Sequence, residues 1–244
     1  MTTLFRIFLS EDTEIVTPIE KNYHDIQLTI DTAAASVGRD PREVLLVAVS
    51  KTVGVAVIEE ATRLGIHDFG ENRTKVLLEK QQGFPNERWH FIGHIQTNKL
   101  KEVVGRAILI HSVASKHALE VINTLALARG VCQSVLIEAN VSGEASKDGA
   151  TPAEVPGLLE YASTRAGIEV KGLMTMAPML LSHHDDTARS TFAALRELRD
   201  NLVPVFSGSD NISLNELSMG MSDDFGAAIL EGATIIRIGR RLWS

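Results

Sequence analysis

The stretch Val44-Leu-Leu-Val-Ala-Val-Ser-Lys51 decides how the fold of this chain is interpreted. Its first six residues are all apolar, which is typical of a strand buried on both faces in a parallel sheet. The stretch ends in one amine, and in an α/β barrel the carboxyl ends of the strands carry the chemistry. Lys51 is therefore either an amine that forms a Schiff base with an aldehyde or a strand-end lysine whose charged head reaches water.

Length and composition restrict the classes of protein to be considered. A chain of 244 residues, 44% hydrophobic and 23% charged, fits a single α/β barrel domain. The net charge of −7, without a basic run, argues against a nucleic-acid partner. No apolar run reaches the length of a membrane span, so no membrane association is expected.

The single cysteine and the N-terminal sequence bear on compartment and domain limits. Cys132 has no intramolecular partner, which favours a reducing, cytoplasmic location. The apolar part of the N-terminus is too short and too interrupted for a signal peptide. We expect residues 1–20 to be an extension of uncertain order and residues 21–244 to form the folded domain.

Strand and helix patterns alternate along the rest of the chain. A helical pattern at 22–38 precedes eight predicted strands, each separated from the next by a predicted helix. The predicted strands are 45–50, 67–69, 89–92, 107–110, 135–141, 170–174, 214–219 and 235–238. Such alternation implies parallel pairing through right-handed crossovers. An open doubly wound sheet is the rival, but no Gly-x-Gly-x-x-Gly follows the first strand. The prediction is a single (β/α)₈ TIM barrel with an extra N-terminal helix.

Polar residues and glycines at the predicted strand ends would then share one mouth of the barrel. Each alone is most simply a turn residue, and only their convergence indicates a site. They are Lys51, Asn72, Gly93, His94, Ser112, Asn140, Ser218–Gly220 and Arg237–Gly239.

Two segments after the seventh and eighth strands resemble a phosphate cradle. They are Ser218-Met-Gly-Met-Ser222 and Ile235-Ile-Arg-Ile-Gly-Arg240. The first offers a hydroxyl and backbone N–H groups at a helix start, and Gly239 lets backbone N–H groups approach an anion closely. Barrel phosphate sites commonly lie in these two loops.

No metal site is predicted. The cluster His183-His184-Asp185-Asp186 is better explained as solvated residues and a helix cap, and Asp223 and Asp224 as residues at a helix N-terminus.

Seven motifs in order give the chain a specific resemblance, from about residue 24 to its C-terminus. They are Val49-Ser-Lys-Thr52, Phe69-Gly-Glu-Asn72, Trp89-His-Phe-Ile-Gly-His-Ile-Gln-Thr-Asn-Lys99, Asn140-Val-Ser-Gly-Glu-Ala-Ser-Lys147, Gly172-Leu-Met174, Leu217-Ser-Met-Gly-Met-Ser-Asp-Asp224 and Ile236-Arg-Ile-Gly239. With these motifs the chain resembles the pyridoxal 5′-phosphate (PLP) homeostasis proteins, which have the alanine-racemase-like barrel of fold type III.

This resemblance implies PLP as the cofactor and a role for each matching residue. Lys51 would carry PLP as a Schiff base, Arg237 would face the pyridine nitrogen, and Asn72 and Met174 would line the ring pocket. Ser218, Gly239 and the N–H of Arg240 would hold the phosphate. A guanidinium is always charged, so it disfavours protonation of the pyridine nitrogen and weakens the ring as an electron sink.

The resemblance also implies a carrier that binds and supplies PLP, with no catalytic residue and with PLP-dependent apoenzymes as possible recipients. The chain is not expected to have the second, β-rich domain of full-length racemases, which favours a monomer. One departure concerns the last motif: many relatives continue Gly-Thr-Ala-Ile-Phe-Gly, where this chain has Gly239-Arg-Arg-Leu-Trp-Ser244. Arg240 would then replace a threonine hydroxyl through its backbone or its charge.

Two enzyme interpretations remain as alternatives. One is an amino-acid racemase, with His94 or His111 as the second base. The other is a Schiff-base aldolase on a phosphate-binding barrel, which would need Lys51 but no cofactor.

Overall fold

The computed structural model describes residues 16–144, 148–178 and 187–244. The strands are β1 (Leu45–Val49), β2 (Asp68–Glu71), β3 (Arg88–Phe91), β4 (Leu109–Val113), β5 (Gln133–Glu138), β6 (Ile168–Met174), β7 (Ile212–Ser218) and β8 (Ile235–Ile238). The helices in these ranges are α1 (Pro18–Ser36), α2 (Val55–Arg63), α3 (Thr74–Gly83), α4 (Leu100–Val103), α5 (Lys116–Ala128), α6 (Val155–Ser163), α7 (Thr187–Phe206), α8 (Phe225–Leu230) and α9 (Arg240–Trp243).

The eight strands form a closed barrel in chain order. Every neighbouring pair is parallel, and β1 closes the barrel against β8 with Val47 opposite Arg237. The predicted (β/α)₈ barrel is confirmed, and so is the additional helix before the first strand. Because all strands run the same way, their carboxyl ends meet at one mouth.

Alternation along the strands separates two cores. Ala48, at the middle of β1, belongs to the large cluster between the barrel and its helices, whereas its neighbour Val47 faces the interior. The interior apolar cluster is small and consists of Val47, Leu109, Leu136, Met174 and Ile235. The interior also contains buried polar residues that are hydrogen-bonded to one another, namely His90, His111, Ser218 and Arg237.

Helix α1 covers one side of the barrel and follows its sequence signals. Pro18 occupies the first turn, and the Oγ1 of Thr17 accepts a hydrogen bond from the backbone N–H of Glu20. Its buried residues recur at helical spacing and pack beside the C-terminal helices: Ile19, Ile26, Ile30 and Ala34. The predicted extension, residues 1–20, lies mostly outside the described residues.

Some predicted boundaries were wrong. Strand β4 starts and ends later than expected and continues through His111 and Ser112, which are both buried. These polar residues were interpreted as the end of the strand, but hydrogen bonds satisfy them inside the protein. Helix α7 extends to Phe206, past the end at Asn201 that the sequence pattern predicts, with Pro204 in its last turn.

None of the helices in the described ranges is long and apolar enough to cross a membrane.

Candidate functional site at the carboxyl mouth

Lys51 lies two residues beyond the end of β1, at the carboxyl mouth of the barrel. Its side chain is exposed, so the partial desolvation expected of a Schiff-base lysine is absent from the structure. The strand that presents it is fixed: Ala48 and Val49 pair with Phe69 and Gly70 of β2 and are buried. The amine is therefore an accessible group at the end of a rigid element.

A buried ion pair holds the residue directly before Lys51. Ser50 is fully buried and its Oγ donates a hydrogen bond to Oε1 of Glu71 at 2.7 Å. The Nζ of Lys80 donates to the same Glu71 oxygen and to the backbone oxygen of Ser50, both at 2.6 Å. Oε2 of Glu71 is buried with no hydrogen-bond partner among the described residues. Glu71 and Lys80 therefore fix the backbone from which Lys51 starts, a role that the sequence analysis missed.

Arg237 is a buried cation inside the barrel, with 4% of its surface exposed. Its guanidinium donates to Oγ of Ser218 at 2.6 Å and to the backbone oxygen of Thr175 at 3.0 Å. Burial lowers the pKa of Arg237 to about 10, so it stays charged at neutral pH. Both hydrogen-bond partners are neutral, so an anion at this mouth would be favoured.

The loops after β7 and β8 are tied together. The backbone N–H of Arg237 donates to the backbone oxygen of Gly220 at 3.0 Å, and that of Arg241 donates to Oγ of Ser222 at 3.3 Å. Gly220 has φ +89°, and a Cβ there would lie 2.6 Å from the Cβ of Ala228. A Cβ at Gly239 would meet only Val49, at 3.4 Å, so packing alone does not require that glycine.

The C-terminal residues 240–244, which differ from the family's usual sequence, make specific contacts with the rest of the barrel. The guanidinium of Arg240 forms an ion pair with Asp223, and both side chains are largely exposed. The indole N–H of Trp243 donates to the backbone oxygen of Val49 at 2.7 Å. The side-chain amide of Asn22 on α1 donates to the backbone oxygen of Leu242 at 3.3 Å. Leu242 and Trp243, which lie in the segment that differs from the family's last motif, thus connect α9 to α1 and β1.

The two predicted ring-contacting residues lie on different sides of the mouth. Met174 ends β6, 2% exposed, between Glu138 and Ser218 in the strand register. Asn72 directly follows β2 and lines a cavity of about 460 Å³ with His94. Its backbone oxygen would lie 2.2 Å from a Cβ at position 93, which explains the glycine there.

Glu138 is a buried acid at this mouth that the sequence analysis missed. It is 4% exposed and lines a cavity of about 330 Å³ that also contacts Asp148 and His94. Burial, and then the charge of Asp148, raise the pKa of Glu138 to about 7. Glu138 is therefore partly protonated at neutral pH and does not fully neutralise Arg237. Strand alternation could have revealed it, since Leu136 on the same strand faces the interior.

A third cavity, of about 640 Å³, opens at the amino ends of the strands, opposite Lys51. It contains Asp68, Arg88 and His90. It is larger than the cavities at the carboxyl mouth, but the amine, the buried guanidinium and the two tied loops all lie at the carboxyl end. We therefore place the functional site at the carboxyl mouth.

The described residues contain no group of three or more side chains suited to hold a metal ion. The cluster His183-His184-Asp185-Asp186 lies outside the described residues.

The chain matches the family described as "Alanine racemase, N-terminal domain" over residues 22–243, and it belongs to that class of barrel proteins. A pyridoxal phosphate homeostasis protein from Aquifex aeolicus is 42% identical over 216 residues, 88% of this chain and 92% of that protein. The chain is a member of the pyridoxal phosphate homeostasis protein family.

Two solved structures are similar over most of the chain. A protein of unknown function from Bifidobacterium adolescentis is 34% identical, with a TM-score of 0.86 over 95% of this chain and 97% of that one. PipY of Synechococcus elongatus PCC7942, in a structure with PLP bound, is 32% identical, with a TM-score of 0.74 over 88% of this chain and 100% of that one.

Proposed function

We propose that this protein binds PLP at the carboxyl mouth and maintains the supply of PLP in the cell. The observation that carries the proposal is Arg237, a buried cation with neutral hydrogen-bond partners, at the same mouth as the amine of Lys51. The relative PipY, of similar fold, has been solved with PLP bound. When bound, PLP supplies an aldehyde and an electron-poor ring.

Lys51 is the proposed point of covalent attachment, through a Schiff base. Its exposed amine is open to an aldehyde that arrives from solvent, and the contacts of Ser50 with Glu71 and Lys80 keep its backbone in one position. The lysine therefore needs little reorganisation to meet the ligand.

The proposed phosphate ligands are Ser218, Gly239 and the backbone N–H of Arg240. Gly239 has no side chain to obstruct a ligand, and the Arg240 side chain pairs with Asp223. Arg237 adds a positive charge below this cradle. These features suit a dianion, which backbone N–H groups and a buried cation stabilise together.

Arg237, Asn72 and Met174 are the proposed contacts of the ring. A charged guanidinium toward the pyridine nitrogen disfavours protonation of that nitrogen and so limits carbanion chemistry. We infer that the site holds its ligand rather than activating it, and that the protein has no defined reaction.

Absorbance spectroscopy and borohydride trapping test the attachment. The purified protein, incubated with PLP, is expected to show an imine band and, after reduction, a permanently labelled Lys51 in its peptide map. Lys51→Ala should abolish both signals. Lys101→Ala, at an exposed position on α4, is the matched control and should retain both. A parent protein that stays colourless with excess PLP would refute the proposal, and labelling by sugar phosphates instead would indicate an aldolase.

Deuterium exchange tests the absence of a defined reaction. His111 is a poor second base because both ring nitrogens are hydrogen-bonded inside the barrel, whereas His94 is exposed beside Asp148. Exchange of an amino-acid α-proton at rates above ~1 s⁻¹ would indicate a racemase. We expect no such exchange in the PLP-loaded protein.

We further propose that the protein acts as a monomer in the cytoplasm and passes PLP to PLP-dependent apoenzymes. The family membership and the accessible amine support a transferable ligand. Light scattering tests the oligomeric state, and recovery of activity by a PLP-free apoenzyme, mixed with the loaded protein, tests the transfer.

A further inference from the structure

A continuous chain of hydrogen bonds crosses the barrel interior beneath the proposed site. Asp68 Oδ1 lies 3.1 Å from His90 Nε2, and His90 Nδ1 lies 2.9 Å from His111 Nε2. His111 Nδ1 lies 2.9 Å from Ser218 Oγ, which accepts from Arg237 at 2.6 Å. All five residues are buried, and they come from β2, β3, β4, β7 and β8. We call these five residues the interior relay.

The interior relay reaches solvent at the end of the barrel opposite Lys51. Arg88 binds Asp68 through two hydrogen bonds, and the side chain of Arg88 is 54% exposed. Asp68 and His90 also line the cavity of about 640 Å³ at the amino ends of the strands. The chain of hydrogen bonds therefore connects this cavity with the residue proposed to bind phosphate.

The directions of these hydrogen bonds follow from the chemistry of the two ends. Arg237 can only donate, so the Ser218 oxygen accepts from it and the Ser218 hydroxyl proton is free to point to His111 Nδ1. His111, whose pKa burial and the charge of Arg237 hold well below its usual value, is neutral and donates through Nε2 to His90. His90 then donates through Nε2 to Asp68.

Asp68 is suited to accept that last bond as a carboxylate. Burial alone would raise its pKa, but the hydrogen bonds from His90 and Arg88 and the charge of Arg88 outweigh burial and lower it. The charged groups beside the two histidines within the relay are Asp68, with its partner Arg88, and Arg237. Glu138 at the end of β5 interacts with Arg237, and Lys171 and Glu216 line the same amino-end cavity as His90. One proton arrangement thus satisfies every donor and acceptor of the relay.

In this arrangement the hydroxyl proton of Ser218 points at His111 and away from the mouth. A phosphate dianion can only accept hydrogen bonds, so Ser218 cannot bind it well until that proton is redirected. We propose that phosphate binding at the mouth reverses the relay and adds one proton to His90. This inference rests on the proposed function and concerns how the site responds to its ligand.

Three proton transfers along the existing hydrogen bonds produce the reversed state without rotating either ring. Ser218 Oγ gains a proton from the mouth and passes its own to His111 Nδ1, while His111 Nε2 passes its proton to His90 Nδ1. His90 becomes an imidazolium beside the Asp68 carboxylate, and the new Ser218 hydroxyl donates to the phosphate. Only O–H and N–H bonds change. The proton comes from water when the free ligand is a dianion, or from the ligand when it is a monoanion.

The reversed state places an additional positive charge inside the barrel only when the phosphate is present. His90 and His111 are therefore positioning residues that act through Ser218. Since one proton is taken up with a dianion, phosphate-dependent affinity should weaken by about tenfold for each pH unit above the range in which phosphate esters lose their second proton, near pH 6.

Imidazole ¹⁵N NMR of the full chain reads the proton positions directly. Without ligand, both histidines should carry their proton on Nε2. With saturating PLP at pH 8, His111 should carry it on Nδ1, and His90 should carry protons on both nitrogens. Pyridoxal, which has the aldehyde but no phosphate, should leave the ligand-free pattern in place.

His90→Asn keeps an uncharged acceptor near His111 but cannot take up a proton. We expect it to fold, to bind PLP roughly 10- to 100-fold more weakly at pH 6, as for the loss of a charge-assisted hydrogen bond, and to lose most of the pH dependence of PLP affinity. His117→Asn, at an exposed position on α5, is the matched control and should match the parent.

The outcomes separate this inference from the proposed function. If PLP binds, as judged by the imine band, but His111 stays protonated on Nε2, the relay inference is overturned and the proposed function stands. If His90→Asn keeps the pH dependence of the parent, the inference is likewise overturned. If PLP does not bind at all, both fail together.

Discussion

The pH dependence of stability should change when Glu138 is replaced by glutamine. The carboxyl pKa is about 7 in the folded protein against an ordinary value of 4.5, a difference of about 2.5. At 1.36 kcal/mol per pKa unit, this corresponds to about 3 kcal/mol. Since the folded state binds the proton more tightly, ionisation of Glu138 destabilises the fold as pH rises from 4.5 to 7, and the full penalty remains above pH 7.

The Glu138→Gln side chain would keep the shape of the protonated acid without this penalty. Urea unfolding of the ligand-free protein between pH 5 and pH 8 measures the free energy of unfolding of both proteins. The free energy of unfolding of the variant minus that of the parent should rise from about 1 kcal/mol at pH 5 to about 3 kcal/mol at pH 8. Other titrating groups, including the interior relay, are common to both proteins and cancel in the difference.

Glu160→Gln is the matched control, because Glu160 is exposed on α6. The free energy of unfolding of Glu160→Gln should differ little from that of the parent between pH 5 and pH 8. A difference for Glu138→Gln that does not vary with pH would refute the assignment of a buried, destabilised carboxylate at this mouth.

Three further changes test contacts around the site, each by urea unfolding. Lys80→Met leaves the Glu71 carboxylate buried without its partner and should cost about 3–5 kcal/mol, most of it recovered when Glu71→Leu is added. Gly220→Ala should cost about 1–3 kcal/mol, because the new methyl group overlaps its neighbours at a positive φ. Trp243→Phe removes the hydrogen bond to the Val49 oxygen and should cost about 1 kcal/mol.

Controls exist for two of these changes. Lys101→Met alters an exposed lysine, and Gly208→Ala adds a methyl group where nothing lies within 4 Å. A Lys80→Met protein as stable as Lys101→Met would show that the buried pair does not stabilise the fold. Equal effects of alanine at positions 220 and 208 would contradict the steric argument, and a Trp243→Phe protein of unchanged stability would contradict a role for the indole N–H.

The barrel could be predicted because its strands are signalled locally. The apolar runs at β1 and β8 and the helical spacing of α5 specify their elements with little help from tertiary structure. Strand β4 was misplaced because His111 and Ser112 look like the end of a strand until their partners on other strands are known. Helix α9 was not predicted, since its short sequence is fixed by contacts with α1 and β1.

The candidate site was only partly predictable, for a related reason. Lys51, Gly220 and Gly239 could be predicted because they directly follow apolar strands, where site residues and turn glycines are common. Glu138 and Glu71 are the last residues of β5 and β2, and His90 lies within β3; their polar residue types give no sign that the side chains are buried in the protein. Their roles depend on partners far away in the sequence, such as Lys80 for Glu71 and His111 for His90.

The contact between Trp243 and Val49 has a consequence for how the protein is made. Strands β1 and β8 pair with each other, and the indole of Trp243 then fastens the C-terminal helix to the end of β1. A ribosome delivers Lys51 well before Arg237 and Trp243, so the barrel cannot close until β8 has emerged. During synthesis the chain therefore exposes Lys51 before the loops after β7 and β8 are in place, and the proposed site can form only when these last strands have joined the barrel.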